Sequence, residues 1–284
     1  MTSLPTHASF ESTSLATLSD LTSDRWKVLF ALLERQQNDF LAHEPQFRSP
    51  SYRWPRDALH NWSRIWEYPF AYHNIEKWRQ SSSGAGAPIV VDLGSGVTFF
   101  PYSVARLGCA VVCTDIDPIC EIDYARANSA IPASPGSVAF RLATAGTLPF
   151  ADGEADLVYC VSVIEHIPRF EDTIDEVLRI LRPGGLFILT IDLDLRGDQQ
   201  IGVDEFYRLH AALDAGFVAA APSRIAHHAD VLTSENGPIR AGLQRSRIPL
   251  FLVKQWLVKP LLGRKPAPLV PFRCAVQGIL LAKR

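Results

Sequence analysis

Two glycines separated by a single residue have the clearest chemical meaning in this sequence. Gly94 and Gly96 lie in the stretch VVDLGSGVTFF, at residues 90–100. Because glycine lacks a Cβ, a ligand can lie directly against the backbone there. Asp92 stands just before the pair, and Asp115 follows Gly96 by 19 residues. An acid at the end of the next strand commonly accepts hydrogen bonds from the ribose hydroxyls of a nucleotide.

A strand–turn–helix–strand unit would bring these residues together. PIVVDLG and CAVVCTDID are apolar, β-branched runs, typical of strands that are covered on both faces of a parallel sheet. SVARLG predicts a helix between them, which Gly108 ends. The free N–H groups at the start of such a helix point into the crevice that holds the glycines. Two alternatives stay open: a tight turn that binds nothing, and a helix-capping role for Asp115.

Two details distinguish this loop from that of a nicotinamide-binding enzyme. The dinucleotide fingerprint has a third glycine three residues after the second, where this chain has Phe99. A pyrophosphate also disfavours a neighbouring carboxylate such as Asp92. An acid there favours a ligand with a cationic group, such as the ammonium of an amino acid. S-adenosylmethionine carries a ribose at one end and an amino acid at the other, so we expect it as cofactor, with S-adenosylhomocysteine as product.

The downstream motifs carry a family resemblance. DLGSG, TDID, LPF, DLVYCVSVIEH and LRPGG occur in the order and spacing of class I S-adenosylmethionine-dependent methyltransferases. The chain most resembles the branch typified by ubiquinone and menaquinone biosynthesis C-methyltransferases, over about residues 88–195 with a final strand near 274–282. The resemblance implies an α/β fold with a Rossmann-like, seven-stranded, mostly parallel sheet whose last strand is antiparallel.

The resemblance also implies a cofactor site. Asp115 would hold the ribose, and Ile116 would pack on the adenine. Thr144 and Ala145 stand where many members have an acid that bonds the adenine amino group, and a hydroxyl accepts that bond less strongly. The implied residues of the methionine and ribose side are Asp92, Leu93, Gly94, Ser95 and Gly96. The implied floor of the methyl-transfer pocket consists of Cys160, Val161 and Ser162.

Methyl transfer from a sulfonium demands mainly contact between the reactants in a dry pocket. An oxygen nucleophile also needs a base, ideally a histidine or carboxylate. The candidate catalytic residues are His73, His166 and Asp192, with His210 as a further histidine. A structural role for His166 stays open, and Asp192 with Asp194 can equally be acids at a pocket rim. No third ligand at a useful spacing joins these acids, so we expect no metal.

The sequence after the fourth strand of the motif lacks an Asp-Pro-Pro-Tyr or Asn-Pro-Pro-Tyr signature. This argues against enzymes that methylate amino groups of nucleic acids or glutamine, so we expect no nucleic-acid partner. The predicted acceptor is a hydroxyl of a small molecule or glycan. The alternative from another class is a non-catalytic protein that binds S-adenosylmethionine or acts as a scaffold.

Composition and patterning suggest three regions. We expect a disordered or polar lead-in at residues 1–22, a helical, aromatic N-terminal cap at 23–87, and the methyltransferase domain at 88–284 with an insertion at about 222–270. Segments 24–80 and 222–270 are predicted to cover the acceptor pocket together. The N-terminus shows no secretory signal, no run approaches about 18 apolar residues, and the five cysteines form no CxxC pair. These features predict a cytoplasmic protein with reduced thiols.

The charge distribution is uneven. Residues 236–284 contain ten Lys or Arg and no acid, whereas the preceding residues carry all 30 acids and 18 bases, a formal charge of −12. Segment 245–265 has two interpretations. Its apolar residues can pack on the core, or the segment can contact an anionic membrane surface or a phosphate-bearing acceptor, such as a lipid-linked or nucleotide-linked sugar. The apolar residues concerned are Leu250, Phe251, Val253, Trp256, Leu257 and Leu261.

Overall fold

The apolar runs form the strands of one sheet. The structure, a computed structural model, describes residues 10–82, 86–195, 200–240, 252–261 and 273–284. The described strands are β1 (Ser14–Leu15), β2 (Ile89–Leu93), β3 (Ala110–Asp115), β4 (Ser137–Leu142), β5 (Ala155–Val161), β6 (Leu181–Asp194), β7 (Phe217–Ala219) and β8 (Cys274–Lys283).

The order of the strands confirms the predicted α/β architecture. Five strands run parallel in the order β4-β3-β2-β5-β6. Strand β8 is antiparallel to β6, and its other side pairs with β7 and β1, both antiparallel to it. The described sheet thus has eight strands, one more than the resemblance implies, because β1 adds two residues at its edge. All the parallel strands end at one edge of the sheet, here called the carboxyl edge.

The helices form a layer on each face of the sheet. They are α1 (Asp24–Phe47), α2 (Arg64–Ser81), α3 (Phe100–Ala105), α4 (Ile119–Ala130), α5 (Phe170–Ile180), α6 (Val203–Gly216) and α7 (Lys259–Leu261). The first four share one apolar cluster with the sheet, and α5 and α6 share a second cluster on the opposite face. Helix α5 is amphipathic: Ile174, Val177 and Ile180 are buried, while Glu171 and Asp172 lie in its first turn.

The N-terminal segment contributes to the fold. Phe10 is fully buried against Trp66 and Phe70, and β1 pairs with β8. The buried carboxylate of Asp20 accepts hydrogen bonds from the Trp66 indole and the Thr17 backbone. Residues 10–22 therefore pack against the fold, whereas the sequence predicts a disordered or polar lead-in at residues 1–22. The residues next to Asp20 in sequence do not reveal that its partner is Trp66, 46 residues along the chain. Residues 1–9 lie outside the described ones.

The helical cap is present, but most of it covers a face of the sheet. Trp66 and Phe70 of α2 press on β8, where a Cβ on Gly278 would lie only 2.6 Å from the Phe70 ring. Helix α1 packs mainly on α4 and α2. Residues of the segment between α1 and α2, at 48–63, and of the first turn of α2 contact the carboxyl edge. The predicted covering of the acceptor pocket by segments 24–80 and 222–270 stays a prediction.

The insertion between β7 and β8 has two described parts. Residues 222–240 pack on the N-terminal segment and β8, with Leu232 fully buried. Residues 252–261 are helical and expose Trp256 by 61%, Leu257 by 60% and Leu261 by 85%. These three side chains do not pack on the described core, and the choice between core packing and a membrane contact stays a prediction. Leu250 and Phe251 lie outside the described residues. None of the described helices is long and apolar enough to cross a membrane.

Candidate active site

The loop between β2 and α3 has the backbone that its two glycines allow. Gly94 and Gly96 have φ angles of 71° and 49°, in the left-handed region that favours glycine. The N–H groups of Gly94 and Ser95 both donate to the Thr114 carbonyl at 2.9 Å, which holds the loop against β3. A Cβ on Gly94 would lie 2.5 Å from the Val163 side chain. Residues 94–98, here called the glycine loop, thus contact the segment after β5.

Asp115 lies beside this loop, as the spacing predicts. Its Oδ2 accepts the Gly96 N–H at 3.0 Å and its Oδ1 accepts the Asp117 N–H at 3.0 Å. Each carboxylate oxygen keeps a lone pair for a further donor. Ile116 next to it is 68% exposed, an open apolar surface. Thr144 and Ala145 are exposed in the turn after β4, at the same edge.

Asp92 and its neighbours form a buried polar group beneath the loop. Burial raises the pKa of Asp92 to about 8, the Tyr159 hydroxyl lowers it and the charge of Asp115 raises it. A buried carboxyl group with a raised pKa becomes an ion again when a cation approaches it. Asp92 is therefore suited to a ligand with an ammonium group. Leu93 and Ser95, which flank it in the implied site, are also buried.

The segment between α1 and α2 covers the glycine loop. Arg48 Nη2 donates to the Val97 carbonyl at 2.9 Å, and the Tyr52 hydroxyl accepts the Val97 N–H at 2.9 Å. The Arg48 guanidinium also stacks on the Tyr52 ring, 3.9 Å from its centroid. A Cβ on Gly96 would lie 3.0 Å from the Tyr52 hydroxyl and 3.9 Å from Trp54. Sequence reasoning missed Arg48 and Tyr52, because their partner follows 45 residues or more along the chain.

A second set of polar residues lies where β5 and β6 end. The Glu67 carboxylate of α2 is fully buried and accepts hydrogen bonds from the hydroxyls of Ser162 at 2.5 Å and Thr190 at 2.6 Å. Its other oxygen accepts from Arg64 at 2.5 Å. Glu67 therefore ties α2 to the ends of both strands and brings Arg64 to the carboxyl edge. Sequence reasoning missed Glu67. Its position within the aromatic run WEYPF could have indicated a buried carboxylate, which requires polar partners.

Glu165 and Asp192 lie beside this set. Glu165 Oε1 accepts the backbone N–H of Asp192 at 3.2 Å. Burial raises the pKa of Glu165 to about 7, with repulsion by Glu67 adding to the rise. Burial likewise raises the pKa of Asp192 well above its usual range, and both Glu67 and Glu165 contribute. Burial and the Arg64 charge lower the pKa of the exposed His166 in the same turn.

The charge of Arg64 acts on two of the three candidate catalytic residues, Asp192 near the end of β6 and His166 after β5. His73 instead contacts Arg25 and Glu11. It lies nine residues after Arg64 in α2, which is about 13 Å at the rise of a helix. His210 packs on Phe206 of α6. In the part of the chain that the structure describes, no group of three His, Cys, Asp or Glu side chains is arranged to hold a metal ion.

The predicted pocket floor is partly core. Cys160 is fully buried in the apolar cluster beneath α5 and α6, so its side chain does not line the carboxyl edge. Val161 belongs to the cluster on the opposite face and is nearly buried. Ser162 directly follows β5 and has a φ of 47°, in the left-handed region. Its hydroxyl donates a hydrogen bond to Glu67.

Sequence comparison identifies the central part of the chain. Residues 91–189 match the family described as "Methyltransferase domain". A protein of Mycobacterium sp. (strain JLS), described as an uncharacterized methyltransferase, is 33% identical over 123 residues, covering 43% of this chain and 46% of that protein. A similarly described protein of Mycobacterium leprae (strain Br4923) is 34% identical over 128 residues, covering 43% and 45%. The chain thus spans about half the length of the curated relatives it matches.

Solved structures with a similar fold include two described as S-adenosylmethionine-dependent methyltransferases. The one from Mesorhizobium loti is 17% identical, with a TM-score of 0.41 over 75% of this chain and 100% of that one. The one from Aquifex aeolicus is 12% identical, with a TM-score of 0.44 over 78% and 94%.

The strand order is that of an open α/β sheet with one antiparallel strand inserted near its edge. Residues 91–189 are similar in sequence to a methyltransferase domain, and the class I S-adenosylmethionine-dependent family is the one that the sequence motifs resemble. The resemblance to the ubiquinone and menaquinone branch stays a prediction.

The residues present fit the cofactor of this family. Gly96 adds no side chain of its own beneath Tyr52 and Trp54, Asp92 is buried and suited to an ammonium, and Asp115 retains acceptor capacity at the tip of β3. An open cleft of about 250 Å³ adjoins Ile116, between the segment after α1 and the start of α4. Its lining residues are Ser51, Arg53, Asp117, Pro118, Ile119 and Ile122.

Asp115→Asn should weaken binding of S-adenosylmethionine and S-adenosylhomocysteine equally, because both carry the same ribose. Loss of a charge-assisted hydrogen bond costs about 1.5–3 kcal/mol, or roughly 10- to 150-fold in affinity. Calorimetry measures this, with the exposed Glu121→Gln on α4 as the matched control, which should bind normally. Unchanged affinity in Asp115→Asn, or binding of a nicotinamide dinucleotide in its place, would contradict the assignment.

Asp92→Asn should stabilise the cofactor-free protein, and increasingly so as the pH rises. The folded pKa of Asp92 is raised from 3.8 to about 8, so the folded state keeps a proton that the unfolded chain releases. The free energy of unfolding of the wild type therefore falls through this window, by up to about 1.4 kcal/mol per pH unit. Urea unfolding at pH 5 and pH 8 measures the difference in free energy of unfolding between Asp92→Asn and the wild type, with exposed Asp175→Asn as control. A difference that does not grow with pH would show that Asp92 is already ionised in the folded protein.

Proposed function

We propose that this protein transfers the methyl group of S-adenosylmethionine to a hydroxyl of a small-molecule or glycan acceptor by in-line displacement. When bound, the cofactor supplies a methyl carbon already activated by its sulfonium. The observation that carries the proposal is the set of polar side chains at the ends of β5 and β6, next to the glycine loop. It includes His166 and Asp192, two groups able to take up a hydroxyl proton.

The chain's own residues would bind, orient and shield the reactants. Asp115 would accept hydrogen bonds from the ribose, and Asp92 would face the ammonium end. Tyr52 and Trp54 lie over Gly96 and would limit access of water to the loop. Excluding water strengthens the electrostatic contacts within the site and keeps the acceptor oxygen in contact with the methyl carbon.

The direct test supplies cofactor labelled with ¹³C in its methyl group, together with a panel of hydroxylated small molecules and glycans. We expect a labelled product whose methyl carbon is bonded to oxygen, as read by NMR chemical shift. Gly94→Ala should abolish transfer, because its Cβ would collide with Val163 in a backbone conformation that alanine disfavours. Gly86→Ala, whose Cβ would meet nothing within 4 Å, is the matched control and should remain active.

Tight cofactor binding without transfer to any acceptor would favour the alternative, a non-catalytic binding or scaffold protein. A product methylated at nitrogen or carbon would keep the methyltransferase and overturn the hydroxyl acceptor.

We further infer that this protein contacts an anionic membrane surface from the cytoplasmic side through segment 245–265, where it would meet a lipid-linked acceptor. The support is the exposure of Trp256, Leu257 and Leu261 in a segment with bases and no acids. Strand β8 begins at Cys274, which pairs with Asp194 at the end of β6. Strand β8 thus begins at the carboxyl edge, close to where the acceptor is proposed to react.

Vesicles containing anionic phosphatidylserine should bind the protein at low salt. Each Lys or Arg near such a surface contributes about 1 kcal/mol, and screening should remove most binding well above 0.15 M salt. Trp256→Ser with Leu257→Ser should weaken binding in a sedimentation assay, whereas Val28→Ser, on an exposed apolar residue of α1, should not. Absence of vesicle binding by the wild type would remove the membrane contact from the proposal.

A further inference from the structure

Glu165 and Asp192 present buried carboxyl oxygens that lack partners. Among the described residues, Glu165 Oε2 and Asp192 Oδ1 have no hydrogen-bond donor, and Asp192 is only 8% exposed. A buried polar atom without a partner costs about 1–3 kcal/mol. Such a cost is usually met by a ligand or a proton that the folded chain does not itself supply. These two atoms therefore mark a place where another molecule is expected to bind.

The position of the two residues points to the acceptor. Glu165 follows β5 by four residues, and Asp192 lies near the end of β6, at the carboxyl edge. Val163, between β5 and Glu165, packs against Gly94 of the glycine loop. The same short segment thus contacts the loop that would hold the cofactor and carries one of the two carboxyl groups.

We propose that Glu165 and Asp192 act as a carboxyl pair that accepts the proton of the acceptor hydroxyl during methyl transfer. The proposal rests on the proposed function and adds Glu165 as a catalytic residue. The acceptor oxygen bonds to the methyl carbon while the carbon–sulfur bond breaks and leaves its electron pair on sulfur. The hydroxyl proton passes to an ionised oxygen of the pair, which later releases it to water.

Mutual repulsion gives the pair a charge suited to this task. Two neighbouring buried carboxyl groups resist simultaneous ionisation, so they titrate as a unit and hold one proton over a wide pH range. Burial and then Glu67 raise the pKa of Glu165 to about 7, and the charge of Glu165 in turn helps to raise the pKa of Asp192. A base is most effective when its pKa lies near the working pH.

The charges around the pair come from four elements. Arg64 favours ionisation of the pair, whereas Glu67 opposes it. The Arg64 contact with Glu67 fixes the guanidinium on this side of α2. Cys160 on β5 interacts with the charge of Glu165, whereas Tyr68 on α2 and His166 in the turn after β5 interact with Arg64. Asp194 lies two residues after Asp192 on β6. His166 is the rival base, because it is exposed and its pKa is lowered.

The first experiment needs no acceptor. Carbon-13 NMR of carboxyl-labelled Asp and Glu follows each titration in the cofactor-free protein. We expect Glu165 to titrate near pH 7 in the wild type and at lower pH in Asp192→Asn, because the repulsion is gone. Glu165→Gln should lower the midpoint of Asp192 in the same way, while Glu121→Gln should change neither. Midpoints near 4 for both residues in the wild type would overturn the pair.

The second experiment measures single-turnover transfer to the acceptor found with labelled cofactor. The wild-type rate should rise with pH through about 7 and then level off, because only the ionised pair accepts a proton. Glu165→Gln combined with Asp192→Asn should lower the rate by roughly 100- to 10,000-fold and remove the rise. Affinity for S-adenosylhomocysteine, measured by calorimetry, should stay within a few-fold, which separates catalysis from folding.

His166→Gln decides between the two bases. The transfer rate of this variant should still rise through pH 7 if the pair accepts the proton. If the single substitution His166→Gln removes that rise, the proposal is overturned. Failure of the proposed function looks different. A methyl group found on nitrogen or carbon would overturn the hydroxyl acceptor, and the role of the pair with it, even where the titrations are coupled. Midpoints near 4 for Glu165 and Asp192, together with an oxygen-methylated product, would overturn the role of the pair and leave the proposed function standing.

Discussion

The fully buried carboxylate of Glu67 is the constraint on which the carboxyl edge depends. A buried charge is tolerated only when it is paired and hydrogen-bonded, and Glu67 meets this condition with two hydroxyls and a guanidinium. Because the hydroxyls of Ser162 and Thr190 belong to adjacent strands, α2 must lie across the ends of both. The same requirement places Arg64, and hence the positive charge, beside the acids that follow these strands.

Acids collect at this edge because parallel strands all end there, and burial then gives them different properties. Asp115 accepts two backbone N–H groups. At Asp92 and Asp192 desolvation favours the neutral forms. Carboxyl groups that lie together at this edge favour cationic ligands, and the charges around each group decide whether it can accept a proton.

The sequence predicted the parts of the site that depend on local patterns. Strands β2, β3, β5 and β8 follow from apolar runs, and Gly96 with Asp115 follows from their spacing. Glu67 was missed because its hydroxyl partners are 95 and 123 residues away. The exposure of Trp256 was likewise beyond prediction, since an apolar run reads the same whether it packs on the core or faces solvent.

Ser162 links the two halves of the site. Its left-handed backbone costs of the order of 1–3 kcal/mol in a residue other than glycine. The hydrogen bonds of its hydroxyl to Glu67 and of its N–H to the Thr190 carbonyl help to offset that cost. The turn that results seats Val163 against Gly94 and leads directly to Glu165. A displacement of the glycine loop would therefore be transmitted to the carboxyl pair through contacts within four residues, without any movement of the sheet.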